Sequence, residues 1–196
     1  MRPQNYFDTV AEQYSKTITS GFVGALKRRE KNCLIRLLSP RKGERILDVG
    51  CGSGFYANLI KETGAKVFCV DISPAMVRLV RASGIEAEVH DIESLNLNRE
   101  FDKILVAGPL EFCEKPSEAL RNLRRHIGNN GQLALTVPNL SIMATAYWLY
   151  HLTHGFRIRL FSLRRIIALL DQAGFKVEAV EKPTPFLFAI SATARI

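Results

Sequence analysis

Short apolar runs alternate with amphipathic stretches along most of the chain. Five of the apolar runs predict strands, at 45–49, 66–70, 86–90, 101–107 and 132–137. The amphipathic stretches between them carry helix start and stop signals, at 55–63, 75–82 and 116–127. Because helices of roughly ten residues separate the strands, the sheet should be parallel and covered by helices on both faces.

The carboxyl-terminal part departs from this alternation. A helix at 162–173 precedes a strand at 175–181, and a last apolar run follows at 186–194. The gap between these two strands is too short for a crossover helix, so they should pair antiparallel. With a helix at 22–38 and a turn at 129–131 before the fifth strand, the pattern predicts a seven-stranded α/β fold whose last strand is reversed.

One domain accounts for the whole length. A chain of 196 residues with 47% hydrophobic composition can build one sizeable core. We therefore expect a single domain over 1–196, beginning with a helical cap at about 1–38. A lid-like insertion is expected at about 138–161, which is long for a crossover loop.

The predicted insertion is rich in aromatic residues. If it is helical, its apolar positions share one stripe, formed by Ile142, Ala146, Leu149 and Tyr150. Such a stripe is typical of a lid over a ligand pocket. The insertion therefore predicts a hydrophobic or aromatic small-molecule substrate.

The formal net charge of +8 raises the question of an anionic partner. The basic residues are grouped at the spacing of a solvated helix face, within 27–31, 121–125 and 157–165. We therefore expect them to be solvated. Nucleic acid and an anionic membrane surface stay open as alternative partners.

The length of the apolar runs and the spacing of the cysteines bear on the cellular compartment and on metal or disulfide sites. No run reaches the roughly 20 apolar residues of a bilayer span, and the start lacks a secretory apolar core, so we expect a cytoplasmic protein. The cysteines are far apart in sequence, at Cys33, Cys51, Cys69 and Cys113. This spacing predicts reduced thiols, without a disulfide or a metal site.

The run ILDVGCGSG at 46–54 carries the strongest chemical signal. Gly50, Gly52 and Gly54 lie where a strand meets a helix, so the main chain can approach a ligand closely. Their GxGxG spacing differs from dinucleotide-binding GxGxxG, and the loop lacks the lysine of a phosphate-binding loop. Asp48, just before these glycines, suits a cationic ligand better than a pyrophosphate.

Acidic residues end the next two strands as well. Asp71 lies roughly 20 residues after the first glycine, where a carboxylate can accept hydrogen bonds from ribose hydroxyls. Asp91 can meet the exocyclic amine of a purine, while the neighbouring Ile92 lies against its ring. Acids at the ends of three successive strands therefore predict an adenosyl-binding site.

The segments ILDVGCGSG, VDIS, HDIE and HIGNNGQLAL together resemble class I S-adenosylmethionine-dependent methyltransferases, in their small-molecule, ubiquinone/menaquinone methyltransferase-like group. The resemblance implies a Rossmann-like doubly wound sheet of strand order 3-2-1-4-5-7-6. It also implies S-adenosyl-L-methionine as cofactor and S-adenosyl-L-homocysteine as product. The opening YFDTVAEQYS resembles a segment that covers the cofactor in this family, which brings Tyr6, Phe7 and Tyr14 near it. The predicted cofactor-binding residues are Asp48, Gly50, Cys51, Gly52, Gly54, Asp71, Ile72, Asp91, Ile92, Gly108 and Tyr14.

The motifs do not fix a catalytic residue. Many relatives carry a histidine after the fourth strand, whereas this chain reads GPLEFC at 108–113. Methyl transfer from a sulfonium is an in-line displacement that depends on alignment and desolvation, and it needs a base only where the acceptor loses a proton. The candidates for a base, each of which also suits plain packing, are Tyr147, His151 and His154.

Three other functions stay open at this point. An RNA or DNA methyltransferase would share the fold and suit the charge, but 108–110 lacks the Asn/Asp-Pro-Pro or Pro-Cys sequence of base methylation. A noncatalytic S-adenosylmethionine-binding protein would keep the loop without turnover, and a dinucleotide oxidoreductase would bind NAD instead. The favoured function is methyl transfer to a hydrophobic or aromatic small molecule.

Overall fold

The computed structural model describes residues 4–9, 21–153, 155 and 157–195. Its centre is one seven-stranded sheet of order β3-β2-β1-β4-β5-β7-β6. The strands are β1 (Arg45–Val49), β2 (Lys66–Asp71), β3 (Glu86–Val89), β4 (Phe101–Ala107), β5 (Ile127–Pro138), β6 (Phe175–Thr184) and β7 (Leu187–Ala194). This strand number and order confirm the predicted fold class.

The pairing of the strands defines where the sheet binds ligands. β1 pairs in parallel with β2 and β4, β2 with β3, and β4 with β5. β7 is antiparallel to both β5 and β6, as predicted from the short connection. The direction in which strands are added reverses between β1 and β4, and such a switch point opens a crevice at the carboxyl ends of the strands.

α-Helices lie before β1 and in the connections β1–β2, β2–β3, β4–β5 and β5–β6. They are α1 (Gly21–Leu38), α2 (Phe55–Glu62), α3 (Pro74–Ala82), α4 (Pro116–Arg125), α5 (Ile142–Thr153) and α6 (Leu163–Gln172). Residues 4–9 are also helical, and 3-10 turns lie at Ile92–Ser94 and Pro109–Phe112. The start of α3 follows its sequence signal, since Ser73 Oγ accepts a hydrogen bond from Met76 N–H and Pro74 occupies the first helical position.

Apolar side chains cover both faces of the sheet. Ile46 of β1 belongs to a buried cluster with Leu34 of α1 and Ile60 of α2. The next residue, Leu47, belongs to the opposite cluster, which includes Leu120 of α4. This alternation buries β1 on both sides, as expected for a parallel strand between two helical layers.

The predicted turn at 129–131 lies inside β5 instead of before it. The register of β5 against β4 shifts between Phe101 and Lys103. Asn130 has a φ of 62°, and a Cβ on Gly131 would lie 2.5 Å from Ile127 Cγ1. The turn residues therefore create an irregularity within the strand, so the predicted strand start at 132 is wrong.

No helix among the described residues has both the length and the apolar composition needed to cross a membrane. The same residues contain no group of three or more His, Cys, Asp or Glu that could hold a metal ion. All four cysteines are buried free thiols.

Candidate functional site

A large cavity opens at the carboxyl ends of β1, β2, β3 and β4. Its volume of about 1270 Å³ exceeds the roughly 300–1,000 Å³ of a typical small-molecule pocket. The glycine loop after β1 and the residues that follow β2, β3 and β4 line it, together with residues of segment 4–9, α1 and α5. The cavity therefore has room for more than one small molecule.

The glycine loop is folded by its own hydrogen bonds. Gly50 N–H donates to Val70 O (2.8 Å) and Gly54 N–H to Cys51 O (3.0 Å). Gly50, Gly52 and Gly54 have φ angles of 67°, 52° and 85°, a region that glycine enters without strain. Gly50 and Gly52 line the cavity, whereas Gly54 begins α2 and Cys51 packs into a buried cluster.

Gly50 has a second reason to be glycine. A Cβ at this position would lie 2.6 Å from Pro109 Cβ, in the turn that follows β4. The absence of a side chain at Gly50 therefore brings the loop after β1 and the turn after β4 into direct contact. Between them the two segments form the switch point of the sheet.

Asp71 holds the glycine loop in place. Its carboxylate, at the end of β2, accepts hydrogen bonds from Gly52 N–H (2.8 Å) and Ser73 N–H (2.9 Å). Burial raises the pKa of Asp71, although these two backbone donors oppose the shift. Asp71 and the next residue, Ile72, both line the cavity, at the position predicted for ribose recognition.

Asp48, the acid just before the glycine loop, is buried and is not among the residues that line the cavity. Its residue is 1% exposed, and neither carboxylate oxygen accepts a hydrogen bond of normal geometry from the described residues. Burial raises the pKa of Asp48 to about 7, and the negative charge of Asp71 acts in the same direction, while the charge of Lys27 and a poorly aligned backbone N–H of Ala57 oppose it. A carboxylate in this setting gains strongly from a cationic partner.

The ends of β3 and β4 complete the part of the cavity predicted to bind adenosine. Asp91 Oδ1 accepts a hydrogen bond from Glu93 N–H (2.9 Å) and starts a 3-10 turn, which presents Ile92 to the cavity. Gly108 follows β4 with a φ of 103° and lines the cavity as well. The structure thus brings Asp91, Ile92 and Gly108 together with Asp71 around one space.

Glu111 is a candidate functional residue that the sequence reasoning missed. It lies in the 3-10 turn after β4, is 4% exposed, and lines the cavity. Tyr147 Oη of α5 donates a hydrogen bond to Glu111 Oε1 at 2.7 Å. Burial raises the pKa of Glu111 to about 8. Its sequence signal was an acid between the apolar residues Leu110 and Phe112 directly after a buried strand.

The apolar stripe predicted for the insertion does not face inward. α5 does form there, but Ile142 is 92% exposed, and Ala146, Leu149 and Tyr150 are exposed as well. The other side of the helix carries the buried Ala144 and His151 and the half-buried Tyr147. The predicted inward stripe is therefore wrong, although Tyr150 still reaches the rim of the cavity.

The structure places two of the three candidate bases at the cavity. The rings of Tyr147 and His151 meet edge to face at 4.5 Å between centroids, and both residues line the cavity. His154 lies outside the described residues, as does Tyr14, which was predicted to lie near the cofactor.

Segment 4–9 lies at the cavity, as its resemblance implied. Tyr6 and Phe7 line it, and the ring of Phe7 meets that of Phe112 edge to face at 5.4 Å. Asp8 Oδ1 accepts hydrogen bonds from Ser73 Oγ (2.5 Å) and Ala75 N–H (3.1 Å) at the start of α3. This contact ties the segment to the element that follows Asp71.

Solved structures share this fold over nearly the whole chain. A methyltransferase solved in complex with the Trm112 methyltransferase activator of Haloferax volcanii has a TM-score of 0.83 and 18% sequence identity, covering 97% of this chain and 98% of that one. Magnesium protoporphyrin IX methyltransferase from Synechocystis PCC 6803, with bound S-adenosylhomocysteine, has a TM-score of 0.78 and 16% identity, covering 97% of both chains.

Sequence relatives agree with the structural ones. The mitochondrial ubiquinone biosynthesis O-methyltransferase of Schizosaccharomyces pombe is 28% identical over 139 residues, which cover 66% of this chain and 48% of that protein. The malonyl-[acyl-carrier protein] O-methyltransferase of Enterobacter lignolyticus is 31% identical over 116 residues, 57% of this chain and 45% of that protein. The chain thus spans about half the length of these relatives.

A family model gives the broadest match. The model described as a methyltransferase domain matches residues 25–180, which include the glycine loop and the ends of β2, β3 and β4. This match confirms the resemblance inferred from the motifs. The chain belongs to the methyltransferase domain family.

Proposed function

We propose that this protein transfers a methyl group from S-adenosylmethionine to a hydrophobic or aromatic small molecule. The observation that carries the proposal is the buried Asp48 carboxylate just before a glycine loop that is fixed by Asp71. Membership of the methyltransferase family supports the reaction, and relatives named ubiquinone biosynthesis O-methyltransferase support a small-molecule acceptor.

The residues around the cavity fit S-adenosylmethionine. Asp48 lies just before the glycine loop, outside the lining of the cavity. Neither of its oxygens accepts a hydrogen bond of normal geometry from the described residues, so its charge suits the positive charge of the methionine portion. Gly50 and Gly52 would allow that portion to lie against the main chain. The Asp71 carboxylate would hold the ribose, while Asp91 and Ile92 would hold the adenine.

The apolar lining on one side of the cavity supports an apolar methyl acceptor. Bound S-adenosylmethionine supplies a methyl group activated by a sulfonium. On the β4 and β5 side, the lining includes Phe112, Tyr147, Phe186 and Leu187. These apolar and aromatic surfaces would align a hydrophobic ring or chain with the methyl group and would exclude water. Alignment and the exclusion of water supply much of the acceleration of a displacement reaction.

Incubation with labelled S-adenosylmethionine and a cell extract tests the proposal. We expect label in a small organic molecule, identified by mass, and none in the RNA and DNA fractions. Calorimetric titration should show binding of S-adenosylhomocysteine and no binding of NAD. Label in nucleic acid would favour the alternative activity, and cofactor binding without any labelled product would favour a noncatalytic binder. Cytoplasmic location stays a prediction.

A further inference from the structure

Glu111 and Tyr147 form a carboxyl–phenol pair at the wall of the cavity. Tyr147 Oη donates to Glu111 Oε1, and both residues line the cavity. Of the described residues, Tyr147 alone hydrogen-bonds the Glu111 carboxyl. Glu111 Oε2 can therefore accept a hydrogen bond from a molecule in the cavity.

The pair lies beside the place where the methyl group would be presented. Glu111 follows Pro109 by two residues, and Pro109 packs against Gly50 of the glycine loop. The carboxyl thus belongs to the turn that forms the acceptor side of the switch point. Aromatic residues continue from this pair, since the rings of Tyr147 and Phe186 lie 6.2 Å apart between centroids.

The surroundings of Glu111 make it a better base than an exposed glutamate. Burial raises the pKa of Glu111 to about 8, and the charge of Glu30 on α1 raises it further, whereas the hydrogen bond from Tyr147 and the charge of Lys27 lower it. The other titratable groups on α5 are His151, whose ring contacts that of Tyr147, and Tyr150, whose ring contacts that of His151. A base is most effective when its pKa lies near the working pH, and a phenol with a pKa of about 10 is then a suitable proton donor.

The geometry points to Glu111 as the general base that accepts the proton of a hydroxyl group on the methyl acceptor, with Tyr147 as its positioning residue. The substrates would then be apolar molecules that carry an acidic hydroxyl, such as phenols. This assignment rests on the proposed methyltransferase function. As the acceptor oxygen bonds the methyl carbon, the carbon–sulfur bond breaks and sulfur keeps the electron pair. The hydroxyl proton passes to Glu111 Oε2 and later leaves to solvent.

Glu111→Gln tests the assignment with the labelled extract. We expect turnover at pH 7 to fall by roughly 10²–10³, the range of a lost general base, while the affinity for S-adenosylhomocysteine changes less than about twofold. The matched control is Glu178→Gln on β6, an exposed glutamate far from the cavity, which should keep its turnover. The labelled product should be a methyl ether.

An infrared titration gives a second measurement that does not depend on turnover. The part of the protonated-carboxyl band that disappears with a midpoint near the pKa of about 8 of Glu111 should be missing in Glu111→Gln, whereas the part from Asp48, with a midpoint near 7, should stay. Tyr147→Phe should move the midpoint to higher pH, because the hydrogen bond from Tyr147 favours the charged form. The pH dependence of turnover should move in the same direction.

The outcomes separate the two proposals. Turnover within threefold of wild type in Glu111→Gln, a methyl group on nitrogen or carbon of the product, or an unchanged midpoint in Tyr147→Phe would each overturn the role of Glu111. A wild-type protein that labels nothing would overturn the proposed methyltransferase function itself, and the assignment of Glu111 with it.

Discussion

Two buried acids, Asp71 and Glu111, line the cavity, a third, Asp48, lies just before its glycine loop, and each of the three has a different set of partners. Asp71 accepts two backbone hydrogen bonds, Glu111 accepts one from a tyrosine, and Asp48 accepts none of normal geometry from the described residues. A buried carboxyl without full hydrogen bonding destabilises a folded protein. The burial of these carboxyls is therefore better explained by ligand binding than by a contribution to the stability of the fold.

Asp71→Ala should weaken binding of S-adenosylhomocysteine at least tenfold, or about 1.4 kcal/mol. The substitution removes the carboxylate that holds Gly52 N–H and with it the acceptor proposed for the ribose hydroxyls. Isothermal titration calorimetry measures the change. Glu62→Ala, at an exposed acid at the end of α2, is the control and should bind like wild type. Equal affinities of the two variants would contradict the position assigned to the ribose.

The sequence pattern predicted three acids of this region as site residues but missed Glu111, for a physical reason. Asp48, Asp71 and Asp91 lie at or directly after strands that the apolar pattern locates, so their shared edge follows from parallel pairing. Glu111 lies in a 3-10 turn, and its burial depends on Tyr147 of α5, which is far away in sequence. No local pattern predicts a contact of this kind.

At the scale of elements, the apolar pattern predicts the strands better than it predicts which side of a helix is buried. β1 and β4 have their predicted bounds, because apolar runs flanked by polar and glycine residues fix both ends. α5 is apolar nearly all round, with the sequence IMATAYWLYHLT, so periodicity cannot choose its buried side. The choice is made by tertiary contacts, among them that of Tyr147 with Glu111.

The contact between the glycine loop and the turn after β4 can be tested at Gly50. Gly50→Ala should lower the free energy of unfolding by about 2–4 kcal/mol, from the positive φ together with the close approach of Pro109. Gly43→Ala has a φ of 87° and open space around it, so it should show only the backbone cost of about 1 kcal/mol. Urea denaturation measures both. Equal losses would show that Pro109 can move away without cost.

At the scale of the whole molecule, the structure has the strand order 3-2-1-4-5-7-6 that the resemblance to class I methyltransferases implied. The alternation of short elements by itself predicted a parallel sheet with a reversed last strand, because right-handed crossovers limit the possible orders without fixing one. Composition alone does not decide the domain bounds, so a single domain over 1–196 stays a prediction. The same holds for nucleic acid and an anionic membrane surface as partners.

The buried acids give the whole fold a pH dependence. The pKa of Asp48 rises from 3.8 to about 7 on folding, and that of Glu111 from 4.5 to about 8. At a pH between the unfolded and the folded pKa of each acid, the folded protein holds more protons than the unfolded chain. The free energy of unfolding therefore falls as the pH rises. We expect the free energy of unfolding to decline from about pH 5 to pH 8.

Asp48→Asn should make that decline shallower, because the amide does not titrate. Urea denaturation at pH 5, 6, 7 and 8 measures the slope, with Glu178→Gln as an exposed control that leaves it unchanged. Under the proposed binding mode, saturation of the wild type with S-adenosylhomocysteine should also reduce the slope, since the ammonium group of the ligand would favour the charged form of Asp48. A slope that is the same in Asp48→Asn and wild type would rule out this acid as the source.

The hydrogen bonds within the glycine loop bear on how inhibitors should be designed. Gly50 and Gly52, which line the cavity, are already held by Val70 and Asp71, and Gly54 of the same loop is held by Cys51, so this wall of the cavity is preorganised. A ligand that meets a preorganised wall loses little affinity to ordering of the protein. Adenosine analogues whose rotatable bonds are fixed in the bound conformation should therefore bind this loop more tightly than flexible analogues.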